Sequence, residues 1–308
     1  MNSEFFSANY SHFNRHYALL ARFSTLAINF RTHIFYLGLL LFSPHLLATD
    51  YYQENKTNLD LQASLPQSEI LWLSSNEKTK TLTLNRPAIS KKTLGTIILL
   101  SDINQHPDWP GIIHSLRTTL PRHGWRVLSV QMPYSNKNTQ PISFASIQTS
   151  IQNRVKAAID LISTESQNII IIAHRHSANA TIQLFKVEME YQQKINAFVG
   201  ISLFDSPQTQ TSQLLRNVYL PFLDIFAQKD TIAVLNSAPL RLESARFTAT
   251  TNKASPYSAK VTALAINKSG NLNYRQTTIN GAYEDFSGHT DTLVKAIRGW
   301  INQYAANS

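Results

Sequence analysis

Four consecutive isoleucines, Ile169 to Ile172, run into Ala173-His174-Arg175-His176-Ser177. A run of this kind reads as a buried strand, and Ala178 to Tyr191 behind it reads as a helix, so the chain must turn sharply between the two. Comparable runs recur along the chain. Thr96-Ile97-Ile98-Leu99-Leu100 is apolar after its first residue and rich in β-branched side chains, as expected of a strand covered on both faces of a parallel sheet. Trp125 to Val130, Ala197 to Leu203, Leu220 to Ala227 and Asn273 to Ile279 supply further strands.

Helical spacing fills the intervals. Pro110 to Leu120 opens with proline and is followed by Gly124, which marks the turn into the next strand. Ile147, Ile151, Val155, Ala158 and Leu161 share one face of an amphipathic segment, as do Leu293, Ile297, Trp300 and Ile301 in a closing helix over Thr290 to Tyr304. Glu69 to Leu73 and Thr79 to Leu84, joined by Ser74 to Lys78, form an N-terminal edge hairpin. Strand and helix alternation of this sort implies an α/β fold, a mostly parallel central sheet with helices on both faces and right-handed crossovers. Ser237 to Thr262, rich in Ser, Thr and Ala, fits helix, lid or loop equally well.

A chain of 308 residues with 43% apolar content suits one large domain, here 65–308, preceded by a polar linker over 49–64. Before the linker, Arg31-Thr32-His33 leads into the largely apolar Ile34 to Leu47 and then Ala48. A basic flank, a short hydrophobic run and a small terminal residue are the parts of a secretory signal, and about 14 positions is short of the roughly 20 that a membrane span needs. Residues 1–48 are therefore read as an export segment and the protein as periplasmic or secreted, with an inner-membrane anchor as the alternative. The absence of cysteine excludes disulfides, thiolate catalysis and zinc-thiolate sites. The net charge of +9 is scattered, with no stripe of Lys and Arg interleaved with aromatics, so nucleic acid is not expected as a partner. Neither Gly-x-Gly-x-x-Gly nor a phosphate loop is present, and no cofactor is expected.

The turn after Ile172 has the outline of a nucleophile elbow, small-x-Ser-x-small, in which a strained turn lifts a serine hydroxyl clear of the sheet. Its small flanks, Ala173 and Ser177, place Arg175 at the tip. A guanidinium with a pKa above about 12 has no lone pair for attack. Ser177 can serve as nucleophile only in a shifted frame, which puts Arg175 and Asn179 where small residues are needed.

This order of elements, with an acid after a later strand and a histidine before the last helix, resembles the α/β-hydrolase superfamily. More narrowly, Ser101 to Gly111, Leu120 to Trp125 and Gly281 to His289 look like an uncharacterised bacterial family of hydrolase-like exported proteins of unknown function, with similarity from about Leu65 to Tyr304. The resemblance implies that Asp230 and His289 stand at the acid and base positions of a catalytic triad and are neighbours there. Asp230 can equally cap a helix that starts near Thr231. Many lipases and esterases carry His-Gly after an early central strand; Ser101-Asp102-Ile103-Asn104 has no glycine and brings a carboxylate instead.

Arg175, with His174, His106 and Trp109 nearby, is a candidate site for a small anionic or acyl ligand, although Arg175 can also pair internally with Asp230 or Asp102. Trp109 either lines a pocket or covers the end of the core. Histidines at 174 and 176 lack a metal-binding motif, and no metal site is expected. The leading expectation is an exported hydrolase-fold protein that has lost serine chemistry and acts in binding, or in association with the periphery of the envelope. The alternatives are a serine-type ester or acyl hydrolase using Ser177, His289 and Asp230, and a non-hydrolytic enzyme using His289 and Asp230 as an acid-base pair. Oligomeric state is open. A cleaved signal predicts a mature N-terminus near residue 49; terminal sequencing of protein purified from its producing cell tests this, and a mature chain beginning at Met1 refutes it.

Overall fold

The apolar runs become the strands of one twisted sheet. The computed structural model describes residues 49–75, 80–90, 92–135, 144–251 and 274–305. Among them, β1 (Ile70–Leu73), β2 (Thr81–Arg86), β3 (Gly95–Leu100), β4 (Trp125–Val130), β5 (Ile169–His174), β6 (Ala197–Ile201), β7 (Phe222–Lys229) and β8 (Tyr274–Tyr283) lie in the order β1-β2-β4-β3-β5-β6-β7-β8. β1 and β2 form the expected antiparallel edge hairpin, β2 pairs antiparallel with β4, and every pairing beyond is parallel.

β3, β5 and β6 are buried along their whole length. Because side chains alternate across a strand, Ile98, Leu100, Ile169 and Ile171 join one core, against Ile147, Ile151 and Val155 of α3 (Phe144–Ser163). Ile97, Leu99, Ile170 and Ile172 join the other, against Leu116 of α2 (Ile112–Thr119) and Leu293, Ile297 and Trp300 of α8 (Thr290–Ala305). The two amphipathic stripes read from the sequence therefore face the sheet from opposite sides.

Three expectations need correction. Residues 49–64 are not a linker: Tyr51–Ser64 is helix α1, capped by the Asp50 carboxylate, which accepts from Gln53 N at 3.0 Å. This helix buries Glu54, Asn58 and Leu61, the last against Leu82 and Leu84 of β2, so polar residues share its docking face with one leucine. Its Glu54, 2% exposed, lies 3.0 Å from Arg154 of α3, which also donates to the Gln131 carbonyl. The single helix expected over Ala178 to Tyr191 divides at Glu188 into α4 (His176–Val187) and α5 (Met189–Gln193). Gly281 to His289 is not wholly loop, since β8 continues to Tyr283.

Of the undecided stretch, residues 237–251 belong to helix α7 (Ile232–Thr251), while 252–262 lie outside the described residues, as do 1–48 and 136–141. A short helix α6 (Thr211–Leu214) precedes β7. Buried Arg241 of α7 meets Asp224 of β7 at 2.7 Å, and the Tyr274 hydroxyl donates to the same carboxylate.

A buried charge left alone is strongly destabilising, whereas an apolar replacement of the whole pair is close to neutral. Glu54→Ala is expected to destabilise the fold by about 3 kcal/mol or more, and Glu54→Leu combined with Arg154→Met by much less. Urea unfolding of both variants checks this, and equal losses would show that the pair does not hold α1.

Candidate functional site

Arg175 stands between the last residue of β5 and the first of α4 with φ 49° and ψ −113°. For a residue with a side chain this conformation is strained by about 1–3 kcal/mol, and it is the turn geometry that an elbow requires. The surroundings enforce it. Arg175 N donates to the Ile201 carbonyl at 2.9 Å and its own carbonyl accepts from Asn179 N at 3.0 Å, while Ala173, Ser177 and Ala178 are wholly buried where strand and helix pass closely.

The guanidinium lies over two carboxylates. Its Nε is 3.5 Å from Asp102 Oδ2 and its Nη1 is 3.7 Å from Asp230 Oδ1, with Cζ 5.7 Å from the centre of the Phe204 ring. The internal pairing therefore involves both acids. On Asp102 the bonds converge on one oxygen: Oδ1 accepts from Ile103 N at 2.9 Å, from His176 N at 3.1 Å and from the His176 ring at Nδ1, 2.9 Å away. Burial pushes the Asp102 carboxyl upward, but the His176 hydrogen bond and the charges of His176, His174 and Arg175 outweigh it and hold its pKa below 3.8.

In a working hydrolase the oxyanion hole consists of the backbone NH of the residue after the nucleophile and an NH from the loop after β3. Those positions are His176 N and Ile103 N here, and both point at one oxygen of Asp102. The chain thus places its own anion where a developing oxyanion would sit.

Asp230 follows β7, as expected, but it is engaged elsewhere. Its Oδ2 accepts from Ser202 Oγ at 2.6 Å and Ala227 N at 3.2 Å, and its Oδ1 accepts from Thr231 N at 2.8 Å. His289 follows β8 with Nδ1 3.2 Å from the Ser287 carbonyl, and its ring rests on Gly281, where a Cβ would come within 3.0 Å of Nε2. Among the described residues no hydrogen bond or ion pair joins Asp230 to His289, although the two follow adjacent strands, β7 and β8. Ser177 is fully buried, and its hydroxyl donates to the Ser101 carbonyl at 2.5 Å.

Of the four residues expected to bind a ligand, only Arg175 and His174 belong to the elbow. His106 accepts from Asp108 N through Nδ1 at 3.2 Å and meets Trp109 edge-on at 5.1 Å. Asp108 in turn holds Arg117 at 2.8 Å, and Arg117 reaches Glu69 at 2.6 Å, so this loop is fastened to α2 and the start of β1. Among the described residues no hydrogen bond or ring contact joins His106 or Trp109 to Arg175, and no group of three metal-ligating side chains forms. Sequence reasoning missed Ser202, at φ 55° directly after β6, and Phe204, whose ring meets His176 edge-on at 5.0 Å. A residue forced to positive φ carries no signal in composition.

His174 is 5% exposed, and neither ring nitrogen has a partner. Burial drives its pKa from 6.5 to about 4, with Arg175 and His176 pushing the same way against the pull of Asp102 and Asp230. Between these values the unfolded chain binds the proton that the folded one refuses. Stability from this group is complete above about pH 6.5 and falls by about 1.4 kcal/mol per unit as pH drops toward 4, a loss of about 3 kcal/mol in all. Urea unfolding between pH 7 and 4.5 is expected to show a shallower slope for His174→Leu than for the native chain; identical slopes would place the titration elsewhere.

A family model described as Protein of unknown function (DUF3530) matches residues 48–150, about a third of the chain. No curated protein matches the sequence. Est1E from Butyrivibrio proteoclasticus superposes with a TM-score of 0.53 at 14% identity, covering 78% of this chain and 100% of that one. Dienelactone hydrolase from Anabaena variabilis gives 0.53 at 11%, covering 76% and 96%. An alpha-beta serine hydrolase homologue from Coxiella burnetii gives 0.51 at 11%, covering 75% and 96%. At such identities the likeness concerns the fold alone. The chain has the α/β-hydrolase fold, and residues 48–150 resemble a family of unknown function.

Proposed function

We propose that this chain is an exported α/β-hydrolase-fold protein without serine-hydrolase chemistry, acting in binding at the cell envelope. The observation that carries the reading is the Asp102 carboxylate, which accepts from both NH groups of the would-be oxyanion hole. Magnitudes decide what that means. An oxyanion donor is worth about 2.7–4 kcal/mol to acyl transfer. Two unit negative charges about 4 Å apart repel by about 4 kcal/mol at an effective dielectric constant of 20. Asp102 thus occupies the donors and opposes the charge they would stabilise.

Arg175 at the tip supports the same reading, because its charge is balanced within the chain by Asp102 and Asp230 rather than left for a substrate. The rival, an ester or acyl hydrolase using Ser177, requires that hydroxyl to leave the Ser101 carbonyl and reach a substrate from a site with no exposed surface. Export rests on the basic flank and short apolar run before Ala48. The described helices contain none long and apolar enough to cross a membrane.

A fluorophosphonate probe is expected to leave the native protein unlabelled. Arg175→Ser, which restores a hydroxyl at the tip, is expected to hydrolyse p-nitrophenyl acetate no faster than buffer, since Asp102 still fills the hole. Stoichiometric labelling at Ser177 would sink the non-catalytic reading.

A further inference from the structure

The loop that carries Asp102 is a turn closed on itself. Ser101 Oγ donates to the Gln105 carbonyl at 3.0 Å, Gln105 N to the Asp102 carbonyl at 3.2 Å, and Asp102 N to Gln105 Oε1 at 3.1 Å. Residues 101–105 are thereby braced as one piece, and where that piece lies depends on what holds it from outside. On one side it meets the elbow, through the Asp102 bonds to the start of α4 and the Ser177 hydroxyl on the Ser101 carbonyl. On the other it meets residues 131–135 after β4. Asn104 N donates to the Pro133 carbonyl at 3.1 Å, and Asn104 Oδ1 accepts from Ser135 N at 2.8 Å and Ser135 Oγ at 3.0 Å. These bonds hold Asn104 at φ 62°, in the left-handed region that asparagine tolerates better than most side chains do.

Residues 131–135 are held in turn by α1 and its cap. Thr49 forms an isolated antiparallel bridge with Ser135, and Asp50 N donates to the Tyr134 carbonyl at 2.7 Å, with Thr49, Tyr134 and Ser135 all buried. Thr57 of α1 reaches the Tyr134 hydroxyl at 3.4 Å. At the other end of the segment, Arg154, the partner of Glu54 in α1, donates to the Gln131 carbonyl at 3.0 Å. Buried backbone groups are costly to leave unpaired, so a displacement of α1 is passed along these links rather than absorbed by one of them. Yet α1 buries a single leucine beside Glu54 and Asn58, and an element with so little apolar contact opens at lower free energy than the strands of the core.

We propose that residues 49–64 are a strap that locks Asp102 in place: α1 and its cap fix residues 131–135, these fix Asn104, and Asn104 sets the position of the turn whose carboxylate covers His176 N. With the strap lifted, the turn is free to swing away from α4, and His176 N and the Arg175 guanidinium lose the acid beside them. Asn104 is the positioning residue of this device. The inference rests on the reading that Asp102 fills the would-be oxyanion hole, and it adds that the filling depends on a helix that precedes the sheet.

Amide hydrogen exchange of the full-length protein, read residue by residue by NMR, is the test. Asp50→Pro removes the donor to Tyr134 and the cap of α1 at a position whose φ of −85° proline can approach. Asn104→Gly leaves the strap in place and removes the acceptor for Ser135, at a backbone conformation that glycine adopts freely. Both are expected to speed exchange at Ile103 N and His176 N by about tenfold or more, while Ile170, Ile171 and Ile172 of β5 keep their native rates. Asn104→Asp, whose carboxylate accepts from Ser135 in the same way, is expected to keep native rates at both amides. Native exchange at Ile103 and His176 in Asp50→Pro or in Asn104→Gly would overturn the proposal, as would acceleration spread equally to β5 in both variants, or accelerated exchange in Asn104→Asp. Asp102→Ala tells this failure from that of the underlying reading: it is expected to speed exchange at both amides, and unchanged rates there would refute the filled hole and the strap together.

Discussion

The carboxylate of Asp102 holds the centre of this structure together. It hangs from the end of β3 and reaches across to the start of α4, accepting from Ile103 N, His176 N and the His176 ring while Arg175 lies 3.5 Å away. Charge-assisted bonds of this kind are roughly twice as strong as neutral ones, and here three converge on one oxygen in a buried setting. Remove the carboxylate, and two backbone NH groups lose their acceptor while Arg175 keeps only the more distant Asp230, 3.7 Å away. The contacts that fix the turn also occupy both NH groups, so under the non-catalytic function proposed above the elbow's rigidity and its lack of hydrolase chemistry would have one cause.

The rest of the site is arranged around this joint. Arg175 adopts its strained backbone because Ala173, Ser177 and Ala178 allow β5 and α4 to pass closely, and because its NH is claimed by the Ile201 carbonyl. Its side chain then has only one direction in which charge is available, between Asp102 and Asp230. Asp230, in turn, is held by Ser202 Oγ and by the backbone of Ala227 and Thr231, which leaves it serving the turn after β7 rather than an imidazole. Behind that turn, Arg241 joins Asp224 to the Leu203 carbonyl at 2.7 Å, so the approach to Phe204 is anchored by a second buried charge pair. Arg175 with Asp102 and Asp230, and Arg241 with Asp224, thus form two charge clusters on either side of this turn.

What the sequence disclosed follows from which forces leave a periodic trace. Burial on both faces leaves unbroken apolar runs, so β3, β5 and β6 and their order were legible, and the register of the elbow followed from two small residues. Helix α1 left no such trace, because its docking face holds a single buried leucine, Leu61, beside Asn58 and Glu54, and Glu54 meets Arg154 100 positions away, which no local pattern reveals. The Asp230 and His289 pairing was inferred from chain order, and order fixes the sheet edge on which two residues lie but not the direction of their side chains. Asp102 was visible as a misfit near the oxyanion position; its three bonds were not, since they depend on how β3 and α4 approach in space.

Charge is paired closely at the elbow. Arg175 has both Asp102 and Asp230 within 4 Å, and the buried His174 ring, which burial holds neutral near pH 7, has no hydrogen-bond partner among the described residues. A folded chain lowers its free energy by pairing charges wherever its own groups can reach, and it does so even at the cost of strain around Arg175. The strained turn at Arg175 and its two ion pairs with Asp102 and Asp230 are thus one arrangement, made by the loops at the carboxyl ends of β3, β5 and β7.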